Sequence, residues 1–333
     1  MSLDKNIKKT WIDNPNYIIN SSMKITYVFC LICCIVFILC TQNIKAQEHN
    51  DESFIQFDFR LAPTSQGALE GLAEINLLWW DYLYSGVSFS VSNFTSVYDE
   101  YGGSTTTIDS HKVLNIKIMN TRDDLLKIEW EEEAYLCFNT GIAAVISWLN
   151  QEKYGHGDIQ PVPGVFAYFS NQDIFSVKPQ AYAELEICLD TITLQGYGMV
   201  SPISLFEHVE GEFFFSHVGS ALKYSIDDTS LEVQCGGELL FTPWQELEIK
   251  VGFNYAWRSG TGAGVIIGLA SVEKFPYDID EYEILSSVCI SVLGFKPVFG
   301  ISYVYYNYRP QDTTAAISYS SDRLRFSVGM VTC

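Results

Sequence analysis

Residues 247–257 read LEIKVGFNYAW. Leu247, Ile249, Val251, Phe253, Tyr255 and Trp257 share one face of an extended chain, and Glu248, Lys250, Gly252, Asn254 and Ala256 share the other. Successive side chains of a strand point to opposite sides, so this alternation reads as a strand with unlike faces. Its length is about what a tilted strand needs to cross a bilayer. The apolar face ends in Tyr and Trp, which settle at membrane–water interfaces. The stretch reads as a transmembrane β-strand.

The same period of two recurs along the chain. Ile55, Phe57, Phe59 and Leu61 alternate with Gln56, Asp58 and Arg60, and Leu83, Val87, Phe89 and Val91 with Gly86, Ser88, Ser90 and Ser92. Leu126, Ile128 and Trp130 alternate with Lys127 and Glu129, and Ala181, Ala183, Leu185, Ile187 and Leu189 with Tyr182, Glu184, Glu186 and Cys188. Leu324, Phe326, Val328 and Met330 alternate with Arg325, Ser327 and Gly329 near the end. Turn-like stretches fall between, at 63–67, 101–104, 259–262 and 309–312. One segment departs from the rule. In residues 140–155, Ile142, Val145, Ile146 and Leu149 lie at helical spacing, with Thr140 to cap the start and Gly155 the end. A short helical insertion is expected there; a strand with Ile142, Ala144, Ile146 and Trp148 on one face is the alternative.

Composition narrows the class. Lys and Arg total 20 against 40 Asp and Glu, a net charge of -20. Nucleic acid is thereby excluded as a partner, since phosphate binding needs clustered bases. Charged residues make up 18% and aromatics 14% of the chain. Soluble domains average about 25% charged, whereas a surface that faces lipid needs few charges and favours aromatic rings.

The N-terminus points to export. Residues 26–40, TYVFCLICCIVFILC, form a short apolar core preceded by Lys24 and followed by the small Ala46, the pattern of a secretory signal peptide. The expected organisation is a doubtful leader over 1–22, with translation starting at Met23, a signal peptide over 23–46, and one β-barrel domain over 47–333. An uncleaved anchor is the alternative. Cys40 follows Phe37-Ile38-Leu39, and the bulky Leu39 fits processing to a lipid-modified cysteine poorly. Cys137, Cys188, Cys235, Cys289 and Cys333 are scattered, with no CxxC pair and no His at ligand spacing, so they read as small apolar fillers.

Soluble sandwiches also alternate, but three features favour a barrel. The alternating segments run to about ten residues, longer than the five or six typical of soluble strands. Aromatics gather near their ends, as in Trp79-Trp80 and in Tyr303, Tyr305, Tyr306 and Tyr308. The polar faces carry small or charged residues that suit a wet lumen. Dividing residues 47–333 by about 20 per strand and connection gives about fourteen strands, within a range of about 12–16. The fold class is therefore all-β: a single antiparallel transmembrane β-barrel. With its signal peptide, its aromatic-ended strands and its final alternating strand Leu324–Met330, residues 53–331 resemble the general class of bacterial outer-membrane β-barrel proteins. The resemblance implies residence in the outer membrane, with the lipid bilayer as partner. It departs from the class at the terminus, Val331-Thr332-Cys333, where such proteins often end in Phe.

The chain lacks HExxH, GxSxG, Walker-type and GxGxxG motifs, so an enzyme, a cofactor and a metal site are not expected. The carboxylates of Glu129, Glu131, Glu132 and Glu133, and those of Asp278, Asp280, Glu281 and Glu283, lack the spaced ligands and Gly of an EF-hand. They read as solvated loops or strand ends. The expected function is passage of small solutes, porin-like and cation-preferring, through a lumen faced by Gln56, Asp58, Arg60, Glu184, Glu186, Glu248 and Lys250. The alternatives are a closed structural or surface-interaction barrel and a periplasmic, lipid-anchored β-sandwich.

Overall fold

The computed structural model describes residues 54–66, 68–80, 83–100, 103–131, 134–158, 165–215, 221–266, 271–292, 295–311 and 318–332. The expected leader 1–22 and signal 23–46 lie outside them, as does Cys333. All regular structure among the described residues is strand. The first half runs β1 (Phe54–Pro63), β2 (Leu69–Trp80), β3 (Leu83–Glu100), β4 (Gly103–Glu131), β5 (Ala134–Asp158), β6 (Val165–Leu189) and β7 (Ile192–Ser201). The second runs β8 (Phe206–Phe215), β9 (Ala221–Asp227), β10 (Leu231–Trp244), β11 (Leu247–Ile266), β12 (Ser271–Ile290), β13 (Phe295–Pro310) and β14 (Tyr319–Thr332).

Strands β1 to β7 pair antiparallel in sequence order, β7 pairs with β10, and β10 to β14 continue in order until β14 meets β1. Twelve strands thus close a barrel. A closed ring has no edge strand, so every ladder bond is made within the protein. The remaining hairpin, β8–β9, extends the wall: β6 pairs with β7 over Ala181–Leu189 and with β8 over Tyr168–Val177. The closing pair is much shorter than the others, with register only from Asp58↔Val331 to Leu61↔Val328.

The ring count lies at the low end of the expected range. Division by a membrane-spanning length overcounts here because β4, β5 and β6 have 29, 25 and 25 residues, against about 9–11 needed to span. Two further expectations are corrected. Residues 140–155 are not helical; they lie within β5, and Ile142, Ile146 and Trp148 stand outward and exposed. Val145 and Leu149 point the other way, so apolar residues on both faces of one strand imitated a helical stripe. Residues 259–262 are not a turn either, since β11 runs on to Ile266. Gly260 and Gly262 instead seat Tyr277 of the paired strand: a Cβ on Gly260 would meet the Tyr277 hydroxyl at 2.8 Å.

The last residues of β2, β4, β6, β10 and β12 all lie at one end of the barrel, with the start of β1 and the end of β14. This turn end is tight; Asp190 takes a left-handed φ of 56° in the two-residue β6–β7 turn. From there an apolar band covers the outer face, with Ile118, Ile142, Ile284, Phe299 and Val328 among its exposed residues. Exposed Trp130 and Trp244 mark its lower rim. Tyr255, Tyr282 and Tyr305 mark the upper rim in one tier, ring centroids 4.8 and 6.1 Å apart. Beyond that rim the outer face turns polar: Lys112 donates to Glu152 at 2.9 Å and Asn150 to Asp173 at 2.9 Å. A continuous exposed apolar belt of this kind has no place on a soluble monomer and suits a hydrocarbon layer.

Candidate functional site: the lumen and its constriction

Strand parity fixes what faces inward. Odd residues of β11 carry the outer band, so even ones face the lumen, and register transmits that choice around the ring. By this rule Gln56, Asp58, Arg60, Glu184, Glu186, Glu248 and Lys250 all occupy inward positions. They do not converge on one point but line the half of the lumen nearer the turn end. Arg60 pairs with Asp58 at 2.7 Å, Lys250 with Glu238 at 2.7 Å, and Lys296 with Glu248 at 3.3 Å. Glu184 and Glu186 differ. They accept from neutral donors, Gln195 Nε2 at 2.8 Å and Tyr135 Oη at 2.5 Å, so these bonds leave their charge uncancelled.

The lumen narrows toward the other end because strands drop out of the wall. The β1–β2 hairpin turns at 64–68, and above it β3 and β14 lie directly against each other. Ser321 Oγ donates to the Thr95 carbonyl at 2.8 Å. The Gln66 amide acts as a substitute peptide across the gap: its Nε2 donates to the carbonyls of Thr95 and Asp322 at 3.1 and 2.8 Å, and its Oε1 accepts from Thr95 N at 3.0 Å. With the perimeter reduced, side chains from distant strands meet. Phe94 on β3 packs against Tyr306 on β13, centroids 4.6 Å apart. Lys153 Nζ on β5 stands 5.6 Å over the Tyr308 ring on β13.

Two ionic clusters complete this constriction. In the first, Glu70 on β2 accepts from Arg323 Nε at 2.7 Å and pairs with Arg325 Nε at 2.5 Å. Arg325 also reaches Glu283 at 3.2 Å. The Arg323 side chain is 0% exposed, and its guanidinium carbon lies 3.9 Å from the Phe94 ring centre. Beside them buried Asp109 lies 2.9 Å from His111 Nε2 and accepts from Gln151 at 2.9 Å. Burial alone would raise the Asp109 carboxyl, but His111, Lys153 and Gln151 hold it well below the usual carboxylate range. In the second cluster, buried Glu207 on β8 accepts from Ser230 Oγ at 2.8 Å and pairs with Arg258, which ties the β8–β9 hairpin to β11. Lys178 joins from β6, 3.1 Å from Glu232.

Sequence reading did not find this constriction. Parity places Glu70, Phe94, Tyr306 and Arg323 on inward faces, but only the register of non-adjacent strands brings them to one level. The acidic run 278–283 is not a loop: it lies within β12 and divides between faces. Asp280 points outward to Arg309 and Tyr255, while Glu281 and Glu283 point inward. Among the described residues no group of His, Cys, Asp and Glu is arranged to hold a metal ion. Cys137, Cys188, Cys235 and Cys289 are free thiols.

No family model matches the chain, and no curated protein matches it. Solved structures that it resembles are β-barrels. The translocator domain of the autotransporter NalP from Neisseria meningitidis is 10% identical, covers 89% of this chain and 95% of its own, and has a TM-score of 0.38. A Pseudomonas aeruginosa FadL homologue is 10% identical over 85% of this chain and 90% of its own, with a TM-score of 0.34. The Pseudomonas putida toluene transporter TodX is 9% identical over 85% and 90%, with a TM-score of 0.37. Nothing about cargo or activity follows from likeness at this level. The antiparallel even-stranded ring, the short turns at one end and the girdled apolar band are themselves the architecture of bacterial outer-membrane β-barrels.

Proposed function

We propose that this barrel sits in a bacterial outer membrane, with its turn end toward the periplasm, and passes small solutes with a preference for cations. The observation that carries the reading is the state of the inward charges below the constriction. Arg60 keeps 43% of its side-chain exposure, Lys250 32% and Glu248 23%. A barrel packed solid would bury such groups, so these values support a wet vestibule open to the turn end. Glu184 and Glu186, bound only to neutral donors, give that vestibule a negative wall.

Planar-bilayer recording under a KCl gradient tests both parts. Discrete conductance with a cation-selective reversal potential is expected, and the double change Glu184→Gln, Glu186→Gln should move that potential toward zero. Anion selectivity refutes the preference. A second reading, a closed structural barrel, is favoured by the full burial of Val304 and Arg323 at the constriction. Absence of conductance from correctly folded protein, identified by a shift in gel mobility on heating, would establish it.

A further inference from the structure

The outer wall carries a group of polar side chains that the channel does not use. On the β8–β9 hairpin, His208 and Glu210 of β8 face outward, in register with Asp227 and Ser225 of β9. His208 Nδ1 lies 2.7 Å from Asp227 Oδ1, and Ser225 Oγ lies 3.3 Å from His208 Nε2. A hydroxyl, an imidazole and a carboxylate in this order are the parts of an activated serine. The carboxylate keeps the imidazole proton on Nδ1, which leaves Nε2 bare to take the hydroxyl proton. Ser225 and Asp227 stand 17 and 19 residues from His208 in the chain, so no short motif announces them. A carbonyl under attack also needs a donor for the oxygen that turns negative. β9 is the last strand of its sheet, with β8 as its one strand partner among the described residues. Asp228 N donates to the Glu207 carbonyl, so alternate residues of β9 bond to β8 and the N–H of Ser225 points to the free edge. Glu210, 3.2 Å from Nε2, favours the imidazolium that forms as the proton moves.

The position of the group says what it meets. His208 is in register with Phe175 of β6, and Phe175 with exposed Trp148 of β5, beyond which the outer face of β5 turns polar at Asn150. The hairpin therefore sets the imidazole at the upper rim of the apolar band, where water meets hydrocarbon. The Phe206 ring stacks on His208 with centroids 6.2 Å apart and lies 5.9 Å from the Phe175 ring. Both phenylalanines are exposed, and they form an apolar shelf from the imidazole toward the band. We propose that Ser225, His208 and Asp227 hydrolyse carboxylic esters of long-chain lipids at the membrane surface, with the acyl chain lying on the Phe206–Phe175 shelf. Ser225 Oγ bonds to the ester carbonyl carbon as its proton passes to His208 Nε2, and the Ser225 N–H holds the oxyanion. The carbon–oxygen bond to the alcohol then breaks, and the alcohol leaves with that proton. Water attacks the acyl-serine in turn: its oxygen bonds to the carbonyl carbon, one of its protons returns to Ser225 Oγ through His208, and the fatty acid leaves. This activity stands apart from the channel reading, because every residue it uses lies on the outer wall.

The test mixes the full barrel, folded in detergent, with micellar dioleoylphosphatidylethanolamine and measures released oleate. Release is expected, and Ser225→Ala and His208→Asn should each lower it at least about a thousandfold. Asp227 is a positioning residue, and Asp227→Asn should lower the rate about a hundredfold or more. The rate should climb with pH as His208 loses its proton. That midpoint is set by Asp227 and Glu210 on the hairpin, Asp173 opposite Glu210 on β6, and Lys274 of β12, which donates to the Asp227 carbonyl. In Asp227→Asn the midpoint should fall, which a merely structural role would not produce. A fluorophosphonate probe should attach to Ser225 with loss of fluoride. Ser225→Ala removes one exposed oxygen, so it should keep the heat-shifted gel mobility of the folded barrel and lose the label. Labelling unchanged in Ser225→Ala, or oleate release that survives all three changes, overturns the site. Absence of both release and label from the folded wild-type barrel also overturns it. Hydrolysis of soluble p-nitrophenyl butyrate without oleate release overturns the lipid assignment.

Discussion

The constriction can be tested through Glu70→Gln. Glu70 is 4% exposed and supports three groups: Arg323 Nε at 2.7 Å, Arg325 Nε at 2.5 Å and the backbone N–H of Asn93 at 3.0 Å. Glutamine keeps one acceptor oxygen and turns an amide NH2 toward a guanidinium. Breaking a buried ion pair by removing one partner costs about 3–5 kcal/mol, because the other charge stays buried. Arg325 retains Glu283 and is partly exposed, so the stranded charge is chiefly Arg323, and the lower value, about 3 kcal/mol, is expected. That is a large share of a stability of about 5–15 kcal/mol. Urea unfolding in detergent micelles, followed by Trp fluorescence, measures it. Arg323→Met should cost less, since Glu70 then keeps Arg325. The double variant should fall short of the sum by about 1.5 kcal/mol or more, as expected for residues in contact. A loss below about 1 kcal/mol for Glu70→Gln, additive with Arg323→Met, would mean that water screens the pair and that the constriction is not dry.

Three further outcomes are expected. Ile142→Arg places a charge on the outer band and should destabilise the folded barrel by about 2–4 kcal/mol in lipid; a neutral result in the same unfolding assay would remove Ile142 from the lipid-facing wall. Gln66→Ala deletes the side chain that bridges β3 and β14 and should cost about 1–3 kcal/mol, with faster amide exchange at Thr95; unchanged exchange there would show the bridge to be dispensable. On the polar wall of the β8–β9 hairpin, His208 lies 2.7 Å from Asp227 and 3.2 Å from Glu210, and these hydrogen bonds raise its pKa above the ordinary 6.5. The charged histidine's contribution to the hairpin is therefore complete below about 6.5 and disappears as pH rises through the raised value. An imidazole NMR titration should show a midpoint above 6.5 that falls in Asp227→Asn; a wild-type midpoint at or below 6.5 would contradict the geometry.

Much of the wall was legible because lipid imposes a simple rule. Leu247–Trp257 alternates strictly since one face meets hydrocarbon and the other charge pairs, and the same logic runs through Phe57–Leu61, Leu126–Trp130 and Leu324–Met330. The rule fails where a strand is apolar on both sides. Val145 and Leu149 face inward opposite Lys117 and Val113, so the β5 pattern lost its period of two and 140–155 imitated a helix. It fails again beyond the membrane, where water outside and packed aromatics inside reverse the pattern, as with outward His208 and Glu210 beside inward Val209. Near the turn end, parity alone assigns each strand residue to a face. The constriction was not, because Phe94 and Tyr306 meet through the ring's register rather than through any local spacing.

The β1–β14 pair has a consequence for how the molecule is made. Four residue pairs join these strands, with one isolated bridge beyond them, Thr64↔Arg325, whereas β4 and β5 are in register along almost their whole length. An unclosed intermediate would therefore be a curled sheet already nearly complete, with β1 and β14 as its two raw edges, and its last step would commit the fewest backbone bonds of any. Gly329 sits at that edge, where any side chain would collide with the Phe59 carbonyl. A methyl group there would leave the sheet free to form and would bar its fastening, which makes this glycine the clasp of the ring.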